Sequence, residues 1–422
     1  MTAPAPARPF RLPTLDSSLA FVTEGYPFIL GRSRQYGTPV FGTRLLGLPV
    51  ICLSGEEAAR LFYDPDRFER RGAMPGWVLN TFLGQGSVQT LDVEAHRQRK
   101  AAFMSLMTPG ATRDLAGITF RQWYAHAAKW EVMDRVVLLE EARDILCRAV
   151  CEWSGVPLPE EEVGLRARQL AALFDAPGSV GPRHWRGRLA RPQAEAWTGE
   201  LIRQVRAGEL PAPEGRALHV FALHRDLDGK LLDEHTAAVE LLNILRPVVA
   251  IMQFVAFTAL ALHEHPGERE RLRVGDDAAV TRFVQEVRRT APFFPAVPAL
   301  ARRDFVWRGV QFCEGDWVLL DLYGTSREEG VWEDPDQFRP ERFERWNGSP
   351  FNFIPQGGGD HWLGHRCAGE WVTTRLMKVA VRFLTRHLSY DVPTQDLRVK
   401  FTRFPSQPES GFVMTNVRRT AE

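Results

Sequence analysis

The apolar positions between Asp233 and His263 do not keep to one face of a helix. Leu241, Leu242, Ile244, Leu245, Val248, Val249, Ile251, Met252, Phe254, Val255 and Phe257 cover nearly the whole circumference. That pattern belongs to a helix buried on all sides in a large core. Its longest apolar stretch, Val248 to His263, contains Gln253 and falls short of the ~20 residues a membrane span needs. Short β-branched runs at Thr38–Leu53, with turn residues between them, predict a small sheet. From Gly55 to about Arg271 the pattern is mostly helical, with breaks at Pro109-Gly110, Ala176-Pro-Gly, Pro211-Ala-Pro and Asp228-Gly. Gly55-Glu-Glu and Pro159-Glu-Glu-Glu open helices with acids in the first turn. Another helix is expected over Ala278–Arg289, then strands at Phe305–Trp307 and Trp317–Leu320 either side of a turn. An irregular stretch through Trp332–Phe343 follows, and a last helix over Ala368–His387. The Pro- and Ala-rich residues 1–15 read as an extended surface segment. The class is mainly α with a minor β region.

Composition narrows the field without choosing a function. The 422 residues, 44% hydrophobic and 25% charged, exclude a disordered, collagen-like or disulfide-scaffold protein. Length alone gives about two to three domains, though a large helical chain can form one unit of this size and bury a core around a cofactor. Lys+Arg 53 against Asp+Glu 52 leaves +1, so no net field recruits nucleic acid or an anionic membrane. The Arg-rich run Arg183–Arg191 reads as a solvated surface segment. Five cysteines (Cys52, Cys147, Cys151, Cys313 and Cys367) are too few and odd in number for a disulfide framework and suggest a reducing compartment. Cys147-x-x-x-Cys151 has no His or further Cys pair to complete a zinc set, so two buried free thiols are expected. The opening MTAPAPARPF has no apolar h-region, which points to a cytoplasmic protein.

Chemistry concentrates in Phe351-Asn-Phe-Ile-Pro-Gln-Gly-Gly-Gly-Asp-His-Trp-Leu-Gly-His-Arg-Cys-Ala-Gly-Glu370. Cys367 sits just before a helix, where the helix N-terminus and Arg366 would favour its thiolate. Gly364 and Gly369 flank it and would let a flat ligand approach the backbone. Taken alone, this is also compatible with a buried Cys in a Gly-rich loop. A Glu-x-x-Arg pair, Glu286-Val-Arg-Arg289, lies upstream at helical spacing, and Asp334-Pro-Asp-Gln-Phe-Arg-Pro-Glu-Arg-Phe343 stands between the two. That order and spacing resembles the cytochrome P450 superfamily, from about Gly55 onward. The resemblance implies that 1–422 is a single catalytic domain of P450 fold, with haem b (iron protoporphyrin IX) between the long distal helix and the Cys loop. It implies that the Glu-x-x-Arg helix locks the core and that Cys367 is the proximal ligand, its thiolate pushing electron density toward iron.

Two departures narrow the match. Ordinary members carry an acid beside an alcohol in the middle of the distal helix. Here the stretch reads Asn243-Ile-Leu-Arg246-Pro247-Val-Val-Ala-Ile251. The Cys loop also carries an insertion, Asp360-His-Trp-Leu, before Gly364. Both features resemble the bacterial fatty-acid-hydroxylating peroxygenases. Physics bears on the first. Arg246 is a permanent cation in an apolar helix, and an unpaired guanidinium there is costly. Pro247 lacks an N–H, leaves the Asn243 carbonyl free and kinks the helix. Arg246 therefore either pairs with a structural carboxylate or haem propionate, or receives an anionic substrate through two charge-assisted hydrogen bonds of roughly 1.5–3 kcal/mol each.

The resemblance implies hydrogen-peroxide-dependent hydroxylation of long-chain fatty acids at the α or β carbon, with decarboxylation to terminal alkenes as a side reaction. An Arg with a pKa above ~12 cannot act as the base. The substrate carboxylate on Arg246 would supply general acid–base catalysis instead. Gln89 matches a position where relatives carry Gln or His, with a surface-loop amide as the alternative. His96 and Lys100, on one helix face, match haem-propionate contacts, as do His365 and Arg70. Phe82, Leu83, Phe293 and Phe294 would line an alkyl channel, or simply pack in the core. No redox partner, nucleic acid or membrane span is implied. Two alternatives stand: a conventional monooxygenase fed by a ferredoxin or reductase, and a non-catalytic haem sensor or fatty-acid-binding protein. The missing acid–alcohol pair argues against the first.

Overall fold

The computed structural model describes residues 7–179 and 181–420. Its helices of thirteen residues or more are α1 (Val93–Ser105), α2 (Pro109–Trp130), α3 (Leu138–Ser154), α4 (Val163–Asp175), α5 (Pro182–Arg206), α6 (Glu234–Glu264), α7 (Asp277–Thr290) and α8 (Glu370–Arg382). The all-round apolar stretch is α6. Asp233 starts it, its carboxylate accepting from the Thr236 N–H at 2.9 Å, the usual role of an acid at a helix N-cap. At 31 residues, α6 exceeds the apolar run read from the sequence and is long and apolar enough to cross a membrane. Its sides are instead covered by α3, α4, α5 and α8. Helical structure continues unbroken through Pro247. Cys147 and Cys151 lie buried on α3 as free thiols, with their mutual hydrogen bond, and then burial, pushing Cys151 up.

The β region was expected as a small sheet, and it is one. Strands β1 (Val40–Leu45), β2 (Leu48–Leu53), β3 (Phe68–Glu69), β4 (Ala296–Ala301) and β5 (Trp317–Asp321) form a sheet of order β1-β2-β5-β4-β3. Val40 faces Leu53 across the antiparallel β1–β2 pair, and Ile51 faces Val318 across the parallel β2–β5 pair. One detail differs from the sequence reading. Phe305–Trp307 does not neighbour Trp317–Asp321. It closes its own hairpin with Val310–Phe312, because Arg308 and Gly309 both take positive φ, the backbone of a two-residue hairpin turn. The extended N-terminal segment is present where described, bridging at Ala7 to Val310 and at Arg11 to Gly42. Residues 1–6 lie outside the described residues.

The Arg183–Arg191 run is not a uniformly solvated segment. It lies on α5 with Arg186 and Arg188 exposed, but Arg191 is buried. A helix turns the residue eight positions after Arg183 inward alongside Gly187, Ala190 and Ala194.

The Glu-x-x-Arg pair does lock the core. Arg289 Nη2 meets Glu286 Oε1 at 2.8 Å, with both side chains fully buried. Glu286 also accepts from the Arg339 N–H at 2.8 Å and from Arg342 Nε at 3.1 Å. Arg289 donates to the Pro335 carbonyl at 2.7 Å. The irregular Asp334–Phe343 stretch is thereby tied to α7 through charge-assisted hydrogen bonds.

Candidate active site

Cys367 is held from two sides. Its N–H donates to the Gln356 carbonyl at 3.3 Å, and the Gln356 amide lies 3.9 Å from Sγ. Gln356 Oε1 accepts from Arg288 Nη2 at 2.9 Å. Arg288 also pairs with Glu370 at 2.6 Å, and Glu370 pairs with Arg366 at 2.6 Å. A chain of buried groups thus straps the Cys loop to α7 and α8. Burial alone would raise Glu370, but Arg288 and Arg366 hold it down at about 2. This strap corrects one expectation. Arg366 turns toward Glu370 rather than acting on the thiol. Burial pushes the Cys367 thiol up, and Lys100 pulls it back first, helped by the Gly369 N–H and Arg288. Gly364 needs a second correction. A Cβ there would lie 2.7 Å from the Asp360 carbonyl, and its N–H donates to that same oxygen at 3.1 Å. Gly364 therefore closes the inserted turn, which Asp360 Oδ1 organises by accepting from the Trp362 and Leu363 N–H groups.

The four residues expected near propionates meet beside this loop. His96 and His365 stack with ring centroids 3.9 Å apart. Lys100 reaches across to donate to the Arg366 carbonyl. Arg70 donates to the Pro298 carbonyl at 2.7 Å and lies over the Phe62 ring. Asp92, missed in the sequence, sits 3.7 Å from His365 Nε2 and accepts from the Arg70 and Arg71 N–H groups. Burial would raise Asp92, but His365 and these N–H groups hold it down at about 2. Burial pushes His96 to about 3, His365 to about 4 and Lys100 to about 8. At neutral pH the site therefore holds two cations, Lys100 and Arg70, and neither forms an ion pair among the described residues. Buried cations without counter-charge call for an anion. Two carboxylates beside a Cys-loop thiol fit this donor set, so the residues present suit haem b.

On the other side, Gln89 lies in a short turn, Val88–Thr90, against α6. The Asn243 amide donates to Glu240 Oε2 at 3.0 Å and approaches Gln89 Oε1 at 3.5 Å. Asn243 Oδ1 is buried without a partner. Glu240 is spoken for by Arg99 at 2.8 Å. Arg246 is 2% exposed. Its guanidinium lies 4.0 Å from the centroid of the Phe82 ring and donates to the Phe82 carbonyl. Its Nε has no partner, and it forms no ion pair with a carboxylate among the described residues. Of the two readings left open, pairing with a structural carboxylate of the protein is therefore not what the structure shows. Burial, with Arg191 adding to it, pushes Arg246 down to about 9. That is lower than the sequence implied but still leaves it charged at neutral pH.

The aromatic residues form one cluster next to Arg246. Phe82 packs on Phe294 at 5.8 Å between centroids, and Phe293 stacks on Phe254 of α6 at 4.2 Å. Phe174 of α4, which nothing in the sequence singled out, touches Phe82, Phe293 and Phe294. Leu83 is buried in the adjoining turn.

A thiol in a Gly-rich loop, strapped to a Glu-x-x-Arg helix and flanked by propionate-sized cationic ground, defines a haem-thiolate protein. The family model for Cytochrome P450 matches residues 279–418. Cytochrome P450SP alpha (CYP152B1), solved in complex with (R)-ibuprofen, is 49% identical with a TM-score of 0.94, over 96% of this chain and 99% of that one. Cytochrome P450EX alpha (CYP152N1), solved with myristic acid, is 45% identical with a TM-score of 0.94, over 99% of this chain and 100% of that one. A more distant relative, putative cytochrome P450 120 of Synechocystis sp., is 25% identical over 95% of this chain and 94% of its own length. The chain belongs to the CYP152 family of cytochromes P450.

Proposed function

We propose that this protein is a cytoplasmic haem-thiolate peroxygenase. It uses hydrogen peroxide to hydroxylate long-chain fatty acids at the α or β carbon, with some decarboxylation to terminal alkenes. The observation that carries this reading is Arg246: buried, cationic, and bonded only to a neutral carbonyl. Its relatives are consistent with a carboxylate there, since P450EX alpha was solved with myristic acid and P450 OleT with arachidonic acid.

The haem, when bound, supplies an iron–thiolate centre able to cleave peroxide and oxidise a C–H bond. The rest is the work of the chain. Cys367 provides the thiolate. His96, Lys100, His365 and Arg70 hold the propionates. Arg246 grips the substrate carboxylate through parallel N–H bonds and so fixes the α and β carbons nearest the reacting centre. Phe82, Leu83, Phe293 and Phe294 take the alkyl chain and exclude water. Pro247 leaves the Asn243 carbonyl without its helical donor, and Gln89 shapes the polar end of the pocket.

Peroxide must lose a proton from one oxygen and gain one on the other. The carboxylate held by Arg246 accepts the first proton and returns it to the second oxygen. Among the described residues the nearest acid on α6, Glu240, is tied to Arg99 and Asn243 and is not free to do so. This disfavours a monooxygenase fed by a redox partner, and a guanidinium with no carboxylate partner among the described residues disfavours a mere haem sensor.

The test is Arg246→Ala. It should retain the carbon-monoxide spectrum of a haem-thiolate protein and lose myristate turnover with peroxide alone. Losing two charge-assisted bonds removes about 3 kcal/mol or more, at least ~100-fold in kcat/KM. Turnover near the unsubstituted rate, or an unsubstituted enzyme inert to peroxide, would overturn the proposal.

A further inference from the structure

Two guanidinium groups converge on one carbonyl oxygen. Arg246 of α6 donates to the Phe82 carbonyl, and Arg191 of α5 donates to the same atom through Nη1 at 2.9 Å. Arg191 is 4% exposed. Its Nε is held by Glu195 Oε1 at 2.6 Å, and its Nη2 is buried without an acceptor. The space it fills exists because residue 84 is glycine. Gly84 takes φ +89, and a Cβ there would lie 2.1 Å from Arg191 Nη2. Arg191 has Glu195 as counter-charge, whereas Arg246 has none among the described residues. The pair therefore shares one neutral acceptor and is short by one negative charge.

A carboxylate offers two oxygens, and a two-point grip uses two N–H groups of one guanidinium. Where Arg246 meets the carboxylate with its end-on pair, Nη1 and Nη2, its Nη1 leaves the Phe82 carbonyl. A buried carbonyl that loses its donor costs free energy unless another donor stays. We propose that Arg191 is the positioning residue of the headgroup site: it keeps the Phe82 carbonyl bonded when Arg246 turns from that carbonyl to the carboxylate of the substrate. The inference rests on the reading of Arg246 given above. It adds that α5, not only the distal helix, sets affinity for the acid head.

Calorimetric titration of the haem-loaded protein with myristate and with 1-tetradecanol tests this. Arg191→Ala should raise the Kd for myristate about tenfold and change that for the alcohol by less than twofold. Arg191→Lys, which keeps the charge and one donor, should recover most of the loss. In an Arg246→Ala background, adding Arg191→Ala should change myristate binding by less than twofold, because there is no longer a guanidinium to release. Equal losses for acid and alcohol, an undiminished effect in the Arg246→Ala background, or unchanged myristate binding would each overturn the proposal. If Arg191→Ala does not fold, Arg191→Met against Arg191→Lys carries the same comparison. Myristate binding unaffected by Arg246→Ala alone would instead mark failure of the underlying reading of Arg246.

Discussion

Glu286→Gln tests the lock that holds the Asp334–Phe343 stretch to the core. The carboxylate of Glu286 takes four hydrogen bonds: two from Arg289 at 2.8 Å each, one from the Arg339 N–H at 2.8 Å and one from Arg342 Nε at 3.1 Å. An amide keeps one acceptor oxygen and turns an NH2 group against donors. It also leaves Arg289, whose side chain has no exposed surface, with carbonyls alone as partners. Breaking a buried ion pair from one side costs about 3–5 kcal/mol, set against total stabilities of about 5–15 kcal/mol. At ~2.1 cal/mol/K per residue, a chain of 422 residues shifts by roughly 1 °C per kcal/mol, so the midpoint should fall by about 3–6 °C. The assay is thermal unfolding of the haem-loaded protein, followed by far-ultraviolet circular dichroism and by the Soret band together. Glu344→Gln is the control. Its pair with Arg282 at 3.4 Å is half exposed, so its loss should cost less than about 1 kcal/mol. If Glu286→Gln unfolds within a degree or two of the unsubstituted protein, the argument for a buried lock fails.

Two other outcomes are expected. Asp321 is buried, and burial pushes it up to about 7 despite the Gly324 N–H and Arg327; its Oδ2 has no partner. A carboxyl whose folded pKa lies above its ordinary 3.8 costs stability as pH rises from about 4 through 7. Asp321→Asn keeps the Oδ1 acceptor for Gly324 and removes that slope, so it should gain on the unsubstituted protein by a few kcal/mol between pH 4.5 and pH 8. An identical difference in unfolding midpoint at both pH values would count against the shift. Gln89→His should move products toward the terminal alkene; gas chromatography showing an unchanged alkene-to-hydroxy-acid ratio would remove Gln89 from the account.

Much of this architecture is written locally in the chain. The all-round apolar pattern marks α6, and Glu286 and Arg289 stand one helical turn apart. The Gly-rich loop announces Cys367. Arg246 is conspicuous because a cation in such a helix has no cheap explanation. What the sequence hid depends on partners far along the chain. The strap through Arg288, Gln356 and Glu370 joins residues up to 82 positions apart, and nothing local marks Arg288 as different from Arg289. Arg366 looked like the cation beside the thiol because it is adjacent in sequence. In space Lys100 takes that place and Arg366 turns to Glu370. Arg191 was hidden in a run of arginines, although its four-residue spacing from the small Gly187 put it on the inward face of α5. Phe174 carried no signal, since one more aromatic on an amphipathic helix looks like any other core residue.

The account turns on whether the acid–base group comes from the substrate. The most direct measurement gives the haem-loaded protein peroxide and a small aromatic substrate that has no carboxylate, then adds a short-chain carboxylic acid such as hexanoate. Oxidation of the aromatic should be nearly absent at first, rise steeply with the added acid, and stay flat in Arg246→Ala. Equal oxidation with and without the acid would contradict it.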